Sequence, residues 1–380
     1  MGEVAVLHNT LDLRGGADAV CLHVCAALDA DHDVTLYTIS ETDPGDLASR
    51  FDLAVDVSVR SPPGSTVAAR TLAALAPYAG PQLAARSALL AGFFRREAPA
   101  YDLAVSTANE FDLPIPSVQY VHFPQFYRSA HEDDPGRLND LWSRLAGPTD
   151  RRLPADATLL ANSEWTASVT ESIYGRRPTV LHPPVDPVPD PHPWADREDG
   201  VVVLGRLAPD KRVLAAIEVV DRVRDRGHDV HLHVVGTAAA AYRTYVARVE
   251  RAAARRPYVY LERDVSRDRV EDLLRRHRYG LNAKPREHFG MALAEFVAAG
   301  MVAFAPDGGG QRDVLDGRAD RLFTSVEEAA DLVAAAIEGD ARPSLPPDRF
   351  GRDRFHDAVR AHVDRTIERR PQRETPVTQL

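Results

Sequence analysis

The fold of this chain is decided by one stretch, Lys284-Pro-Arg-Glu-His-Phe-Gly-Met-Ala-Leu-Ala-Glu-Phe-Val-Ala-Ala-Gly300. Pro285 disfavours a helix immediately upstream, and Gly290 permits a tight turn with a close backbone approach. From Met291 onwards the residues are helix formers with apolar positions at helical spacing, and Gly300 is a typical C-terminal stop. The stretch therefore predicts a loop that is followed by a helix beginning near Gly290.

The N-terminal end of this predicted helix is suited to binding a phosphate group. Its first N–H groups have no partner within the helix and carry the positive end of the macrodipole. Glu295 would lie about one turn inside the helix, where a carboxylate repels phosphate but can hold a ribose diol. Glu287, at the other end of the turn, would face hydroxyl groups beyond a diphosphate. The pattern favours a nucleotide-sugar site, and a buried strand-loop-helix unit without a ligand is the alternative.

Length and composition indicate a two-domain protein. At 380 residues the chain is too long for one compact core. No apolar run approaches the ~20 residues of a membrane span, and the N-terminus begins as a strand without a basic leader, so we expect a cytoplasmic protein. Cys21 and Cys25 lie four apart on a predicted helix and are expected to fill core space rather than bind a metal.

The charge balance argues against a nucleic-acid partner. The chain carries 56 acidic residues against 44 arginines and two lysines, which gives a net charge of −10. Both lysines, Lys211 and Lys284, fall inside motif-like segments. A compact ammonium binds phosphate as a point charge, so each lysine is a candidate ligand, with chance placement as the alternative.

The first part of the chain predicts a strand, a glycine turn and a helix. Residues 4–7 have the all-apolar pattern of a buried parallel strand, and Gly15-Gly16 precede a helix expected over 17–28. His122 follows another predicted strand and would therefore lie at the carboxyl edge of the sheet, where ligands bind in such folds. A purely structural histidine is the alternative.

A second set of strands and helices begins after a Pro-rich stretch. A strand over 201–204 leads into Gly205-Arg206 and then Lys211 at a helix entrance. Arg206 can bind two phosphate oxygens with its planar guanidinium, and Lys211 can neutralise the same diphosphate. A surface ion-pair loop is the alternative.

Alternating strands and helices on both sides of this stretch predict an α/β fold with two doubly wound, Rossmann-like domains facing a cleft. We expect an N-terminal domain over 1–186, a linker over 187–200 and a C-terminal domain over 201–350. The segment 351–380 is expected to contain a helix that crosses back to the first domain and a disordered tail. Residues 138–145 predict a further helix.

Several of these segments resemble motifs of the retaining GT-B glycosyltransferases of family 4. The Glu-x7-Glu pattern formed by Glu287 and Glu295 resembles the family signature, and its His288 variant is most similar to the dolichol-pathway mannosyltransferase branch. Further similar motifs are Gly-Arg-x4-Lys at 205–211, Asn-Ser-x-Trp-Thr at 162–166 and Tyr-Val-His-Phe-Pro at 120–124. Family members often have Gly-Gly-Pro where this chain has Gly309-Gly310-Gln311, so the role of that loop is open.

The resemblance implies a metal-independent transfer of a hexosyl group from a nucleotide-diphosphate sugar to a hydroxyl of a glycan or lipid-linked acceptor. GDP-mannose is slightly favoured as the donor, and no cofactor or metal ligand is implied. His122 and Glu287 would act on the sugar. The donor would be bound by the glycine turns, cations, backbone groups and acidic residue of the motifs: Gly15, Gly16, Arg206, Lys211, Asp264, Val265, Phe289, Gly290, Met291 and Glu295.

Three other functions stay open. A dehydrogenase also uses glycine-rich turns, but the chain has no Gly-x-Gly-x-x-Gly after the first strand. A non-catalytic sugar-nucleotide-binding protein would need Arg206 and Lys211 but neither Glu287 nor His122. A sugar-nucleotide epimerase of the same fold would consume the donor without any acceptor.

A lipid-linked acceptor would bring the protein to the cytoplasmic face of a membrane. Leu89, Leu90, Phe93 and Phe94 precede two arginines on a predicted helix, a pattern that fits peripheral contact with a membrane surface. Ordinary packing of these residues against the sheet is the favoured alternative.

Overall fold

The computed structural model describes residues 2–79, 82–126, 153–238 and 242–369. The helix predicted over 138–145 and the tail 370–380 lie outside the described residues. The chain divides into two compact units, here called unit 1 and unit 2. Unit 1 contains Met1–Leu160, Val169–Thr179 and His356–Leu380, and unit 2 contains Ala161–Ser168 and Val180–Phe355.

The described strands follow the predicted alternation with helices along the chain. They are β1 (Glu3–His8), β2 (Asp33–Thr38), β3 (Ser58–Arg60), β4 (Leu103–Ser106), β5 (Ser117–Val121), β6 (Ala157–Ala161), β7 (Thr179–Val180), β8 (Glu198–Leu204), β9 (His231–Gly236), β10 (Val259–Arg263), β11 (His277–Leu281), β12 (Val302–Pro306) and β13 (Leu322–Phe323).

The described α-helices lie between these strands and at the C-terminal end. They are α1 (Gly16–Leu28), α2 (Pro44–Ser49), α3 (Ser65–Ala79), α4 (Leu83–Glu97), α5 (Glu164–Tyr174), α6 (Val213–Asp225), α7 (Arg243–Ala254), α8 (Arg267–Arg276), α9 (Met291–Ala298), α10 (Gln311–Val314), α11 (Val326–Glu338) and α12 (Arg352–Glu368). No helix among the described residues combines the length and the apolar character needed to cross a membrane.

Each unit is built on a sheet with doubly wound topology. In unit 1 the described strands have the order β3-β2-β1-β4-β5-β6-β7, and in unit 2 the order β10-β9-β8-β11-β12-β13. β1 pairs in parallel with β2 and β4, and β8 with β9 and β11, so the strand order reverses beside β1 and beside β8. Ligands bind such sheets beyond the carboxyl ends of the strands at the point of reversal. The prediction of two Rossmann-like units is confirmed.

The apolar residues of α4 pack into the core of unit 1. Leu90 and Phe94 are completely buried, and Phe93 packs against the same cluster. Leu89 is 48% exposed. The favoured interpretation, packing against the sheet, is therefore confirmed for Leu90 and Phe94. The two cysteines, Cys21 and Cys25, are buried free thiols, as predicted.

The boundary between the units differs from the predicted one. Val185 and Val188 are buried in a core cluster of unit 2, and the N–H of Val185 donates to Phe350 O at 2.7 Å. The chain therefore joins unit 2 at Val180 rather than after residue 200, and β8 begins at Glu198, inside the predicted linker.

Candidate functional site

The loop that follows β8 is shaped by a close contact with the end of β9. Gly205 has a φ of +147°, and its N–H donates to Val235 O at 3.0 Å. A Cβ added to Gly236 would lie 1.8 Å from Gly205 O, so only glycine fits at this position. This contact fixes the start of the loop that carries Arg206 and Lys211 at the carboxyl edge of the sheet.

Both lysines of the chain meet one carboxylate in unit 2. Lys211 Nζ donates a hydrogen bond to Glu287 Oε1, and Lys284 Nζ lies 3.6 Å from Glu287 Oε2. Lys284 also pairs with Asp210 at 3.3 Å, and Asp210 lies 3.9 Å from Arg206. The predicted residues Arg206, Lys211 and Glu287 are thus brought together, and alternating charges connect the loop after β8 with the loop after β11.

These charges keep Glu287 ionised although its side chain is only 13% exposed. Burial would raise the pKa of Glu287, but Lys211 and Lys284 outweigh burial and lower it. Burial would likewise lower the pKa of Lys284, yet Glu287 and Asp210 raise it. At neutral pH the network therefore holds three cations against two carboxylates, a balance that suits an anionic ligand.

The helix α9 begins at Met291, as the sequence predicts, and Gly290 precedes it in the left-handed region with a φ of +109°. The first hydrogen bond within the helix runs from Ala294 N–H to Gly290 O at 2.9 Å. The N–H groups of 291–293 therefore lie ahead of the first bond of the helix. The ring of Phe289 is buried, so the backbone is the part of this residue that is available to a ligand.

Gln311 fixes the loop between Lys284 and Gly290. Its side chain is completely buried, its Oε1 accepts from Glu287 N–H at 2.8 Å, and its Nε2 donates to Lys284 O at 3.0 Å. A proline at this position could make neither bond. The role of the loop at Gly309-Gly310-Gln311 could not be predicted from the sequence. In the structure this loop positions Glu287 through the side chain of Gln311.

Two further segments pack against the same loop. A Cβ added to Gly310 would lie 2.3 Å from His288 O and 2.6 Å from the Cα atom of Phe289. Ser163 Oγ donates to His288 O at 2.5 Å and also accepts from Thr166 N–H at 3.1 Å. Ser163 thus caps the start of α5, and it also orients the loop over 284–290 through His288 O.

Glu295 lies outside the lysine network. Its Oε2 is 2.8 Å from Arg267 at the start of α8, a partner that the sequence did not identify. Arg267 closely follows the turn at Asp264-Val265, where Asp264 has a φ of +52° and donates its N–H to Gly236 O at 3.1 Å. Glu295 is therefore connected through Arg267 to the loop after β10.

In unit 1 a buried chain of polar contacts links the glycine turn to His122. Gly15 N–H donates to Asp18 Oδ2 at 3.1 Å, and Asp18 Oδ1 lies 3.0 Å from His8 Nε2. His8 Nδ1 is 3.2 Å from Thr107 O, which also accepts from His122 Nε2 at 3.1 Å. Gly16 is the first residue of α1. The sequence predicted the first and last residues of this series of contacts, Gly15 and His122. It did not indicate Asp18, His8 and Thr107, which connect them.

The two histidines in this series of polar contacts, His8 and His122, differ in charge. Burial opposes the charge on His8, but its interactions with Cys21 and Asp18 raise its pKa to about 10. Burial, followed by the nearby charge on His8, lowers the pKa of His122 to about 4. His122 is therefore a neutral imidazole whose Nε2–H donates to Thr107. This state suits hydrogen bonding to a neutral hydroxyl group.

The lowered pKa of His122 predicts a loss of stability in acid. The imidazole has a pKa of 6.5 in the unfolded chain and about 4 in the folded one, so the unfolded chain binds more protons between these pH values. The stabilisation that the neutral His122 gives to the folded state is full above pH 6.5 and is lost as the pH falls through 4. This loss lowers the free energy of unfolding by at most about 3 kcal/mol. In urea titrations at about pH 7.5 and about pH 4.5, we expect His122→Gln to lose less stability than the wild type. Equal losses would contradict the lowered pKa.

Residues 198–339 match the family model described as Glycosyl transferases group 1. We call this matched segment the group 1 domain. The group 1 domain extends from β8 through α11 and contains Arg206, Lys211, Glu287 and Glu295. All the predicted donor-binding residues of unit 2 therefore lie inside it.

Solved structures resemble the whole chain and not only the group 1 domain. HepE from Anabaena, solved in complex with UDP and glucose, has 16% sequence identity and a TM-score of 0.67, covering 97% of this chain and 100% of that chain. WaaG, a glycosyltransferase involved in lipopolysaccharide biosynthesis, has 16% identity and a TM-score of 0.59, covering 95% of each chain. These likenesses confirm the predicted GT-B fold.

Curated relatives match a shorter part of the chain. The GDP-Man:Man(3)GlcNAc(2)-PP-Dol alpha-1,2-mannosyltransferase of Eremothecium gossypii is 28% identical over 159 residues, which cover 38% of this chain and 27% of that protein. The enzyme of the same name from Candida glabrata is 25% identical over 159 residues, 38% of this chain and 32% of that protein. The chain thus spans about a third or less of the length of these relatives.

Proposed function

We propose that the protein is a retaining glycosyltransferase that moves a hexosyl group from a nucleoside diphosphate sugar to a hydroxyl of a glycan or lipid-linked acceptor. The observation that carries the proposal is one charge network beside the strand reversal of the group 1 domain. In this network Lys211 and Lys284 contact Glu287, and Arg206 pairs with Asp210. An open α/β sheet binds its ligands at this place.

The cations of this network would stabilise the leaving diphosphate. Arg206 is 58% exposed and can present its guanidinium to two phosphate oxygens, and Lys211 is the point charge beside it. The N–H groups ahead of α9 would add dipoles that favour negative charge. Because these groups are fixed before the reaction, they can balance the charge that develops on the leaving group without a divalent ion or another cofactor.

Glu287 would act on the sugar. A diphosphate that reaches Lys211 competes with Glu287 for the ammonium group. The carboxylate, which Lys284 and the buried Gln311 keep ionised and in place, would then accept hydrogen bonds from hydroxyl groups of the donor sugar. The neutral His122 of unit 1 would accept or donate at a further sugar hydroxyl, such as the 6-hydroxyl.

The remaining predicted groups would hold the nucleoside of the donor or lie beside the acceptor. Glu295 is partly exposed and would bind the ribose diol, and the backbone of Asp264-Val265 would contact the base. The turn at Gly15-Gly16 would lie beside the donor phosphate and the acceptor. The curated relatives are named for GDP-mannose, whereas HepE is solved with UDP and glucose, and we favour GDP-mannose as the donor.

Thermal-shift titrations test the donor class. We expect GDP to raise the melting temperature of the wild type in the presence of EDTA, because a ligand that binds only the folded state stabilises it. Arg206→Ala should lose this shift, since its guanidinium binds the diphosphate. The exposed arginine variant Arg251→Ala, on α7, should keep it. UDP and ADP serve as base controls, and a shift with NAD alone would contradict the proposal and favour a dehydrogenase.

A lipid-linked acceptor would also require contact with a membrane, which we propose for α4 of unit 1. Leu89 is 48% exposed there and precedes the exposed Arg95 and Arg96. We expect Leu89→Ser to weaken co-sedimentation with anionic lipid vesicles. Val59→Ser, which alters an equally exposed valine of the same unit, should not. Equal co-sedimentation of both variants and the wild type would contradict contact through Leu89.

A further inference from the structure

Three histidines meet in unit 2 at the amino ends of its parallel strands, whereas the candidate donor site lies at the carboxyl ends. His231 and His277 are the first residues of β9 and β11, and His233 lies two residues further along β9. One ring nitrogen of each histidine lies within 4.8 Å of the other two. The Nε2 atoms of His231 and His277 are 3.0 Å apart. Two parallel strands thus deliver three imidazoles to one point.

Neighbouring acceptors orient two of these rings. His277 Nδ1 donates to Leu273 O at 2.7 Å, and His233 Nδ1 donates to Glu262 Oε1 at 2.7 Å. In both rings the proton is thereby fixed on Nδ1, so that Nε2 carries the lone pair. Histidines that bind metals are oriented in this way by a carbonyl or a carboxylate on the other ring nitrogen.

The central strand β8 leaves room for the rings. Gly200 is aligned with His231 on the neighbouring strand, and a Cβ at Gly200 would lie 2.4 Å from His231 Nε2 and 2.5 Å from His277 Cδ2. The pairing of β11 with β8 is irregular between His277 and Tyr279. The glycine therefore allows two imidazoles from opposite sides of β8 to approach each other.

A carboxylate completes the set. Glu198, the first residue of β8, accepts from Arg276 through Oε1 at 2.9 Å. Its other oxygen, Oε2, lies 3.6 Å from His231 Nε2 and 4.0 Å from His277 Nε2. Arg276 thus holds Glu198 with one oxygen directed at the histidine pair.

The surroundings suit a cation better than an anion. The histidines line a cavity of about 510 Å³ that also contains Arg224 and Arg269, but both arginines are paired, with Asp229 at 2.8 Å and Glu262 at 2.7 Å. The charges of these arginines are thereby balanced, so they do not exclude a cation from the cavity.

We propose that His231, His233 and His277 bind one zinc ion, with Glu198 as the fourth ligand. Zn–N distances of about 2.0–2.1 Å in a tetrahedron place the nitrogens about 3.4 Å apart. This value lies between the 3.0 Å that separates His231 Nε2 from His277 Nε2 and the 4.8 Å limit of the whole set. Three imidazoles and one carboxylate form a closed, structural type of site. The ion would tie together the amino ends of β8, β9 and β11, and it takes no part in the proposed transfer at the other edge.

The full chain, stripped with a chelator and dialysed, tests this site. We expect one equivalent of Zn²⁺ to bind in calorimetry and to raise the melting temperature. His231→Ala should weaken binding by about 100-fold or more, since even residues that only orient a ligand contribute 10–100-fold. The control His192→Ala removes an exposed histidine of the same unit and should bind as the wild type does. Equal Zn²⁺ affinity of His231→Ala and the wild type would overturn the proposal, as would no binding at all.

A second measurement needs no variant. The wild type loaded with one equivalent of Co²⁺ should show the intense visible absorption of a tetrahedral ion, and X-ray absorption should show three histidine nitrogens around it. A weak, octahedral spectrum with mostly oxygen ligands would overturn the proposal even if His231→Ala failed to fold.

Discussion

Replacement of Lys211 by methionine is expected to lower kcat/KM for the sugar donor by about 100- to 1000-fold, the usual cost of removing one group that stabilises charge in a transition state. Methionine keeps most of the length of the lysine side chain but not its charge. The diphosphate leaving group then loses a cation that lies in the loop after β8. Glu287 loses its closest partner at the same time, although Lys284 still lies 3.6 Å from it.

The control for this prediction is Lys211→Arg, which keeps the charge but not the compact shape. We expect it to recover part of the activity, because a guanidinium can still pair with phosphate. Both variants should remain folded, as a melting curve checks, since Lys284 still pairs with Glu287 when Lys211 is replaced. If Lys211→Met transferred sugar at the rate of the wild type, the diphosphate would not be bound by this residue.

Replacement of Gly310 by alanine is expected to destabilise unit 2 by about 3 kcal/mol, as overpacking of a closely packed site does. The backbone of Gly310 has a φ of −69°, which alanine adopts readily. The expected cost is therefore steric, because the new Cβ would lie 2.3 Å from His288 O. The loop that carries Glu287 would have to move, so binding of the nucleoside diphosphate should be lost as well.

Gly308→Ala is the matched control in the same loop. The nearest atom to a Cβ at Gly308 is the side-chain Cγ of Arg286 at 3.2 Å, and a flexible side chain can give way. Urea denaturation should therefore separate the two variants, with Gly308→Ala close to the wild type. Equal stability of Gly310→Ala and Gly308→Ala would show that the loop does not depend on this close approach.

Local patterns in the sequence were sufficient to predict the elements that carry the candidate site. The apolar spacing after Gly290 placed the start of α9 correctly, and the strand predicted over 201–204 falls within β8. Both lysines lie in motif-like segments and both contact Glu287, but their role as phosphate ligands stays a prediction. For α9 and β8 the signal lies in or next to the element that it predicts.

Contacts between distant parts of the chain could not be predicted in this way. Gln311 hydrogen bonds to a residue 24 positions away, and His8 contacts Thr107 across 99 positions. The three histidines at the amino edge of unit 2 come from β9 and β11, which both pair with β8. A single sequence carries the periodicity of each strand but not the order in which strands pair. These partners therefore became visible only in the fold.

We expect the protein to transfer a hexosyl group with the network around Lys211 and Glu287. An assay of this transfer incubates the wild type and Lys211→Met with radiolabelled GDP-mannose or UDP-glucose and a lipid-linked glycan acceptor, in the presence of EDTA. The wild type should yield labelled acceptor with retained anomeric configuration, and the rate of the variant should be lower by about 100-fold or more. Donor that is consumed without any acceptor would contradict this expectation and indicate an epimerase. Donor that binds but is never consumed would contradict it in favour of a non-catalytic binding protein.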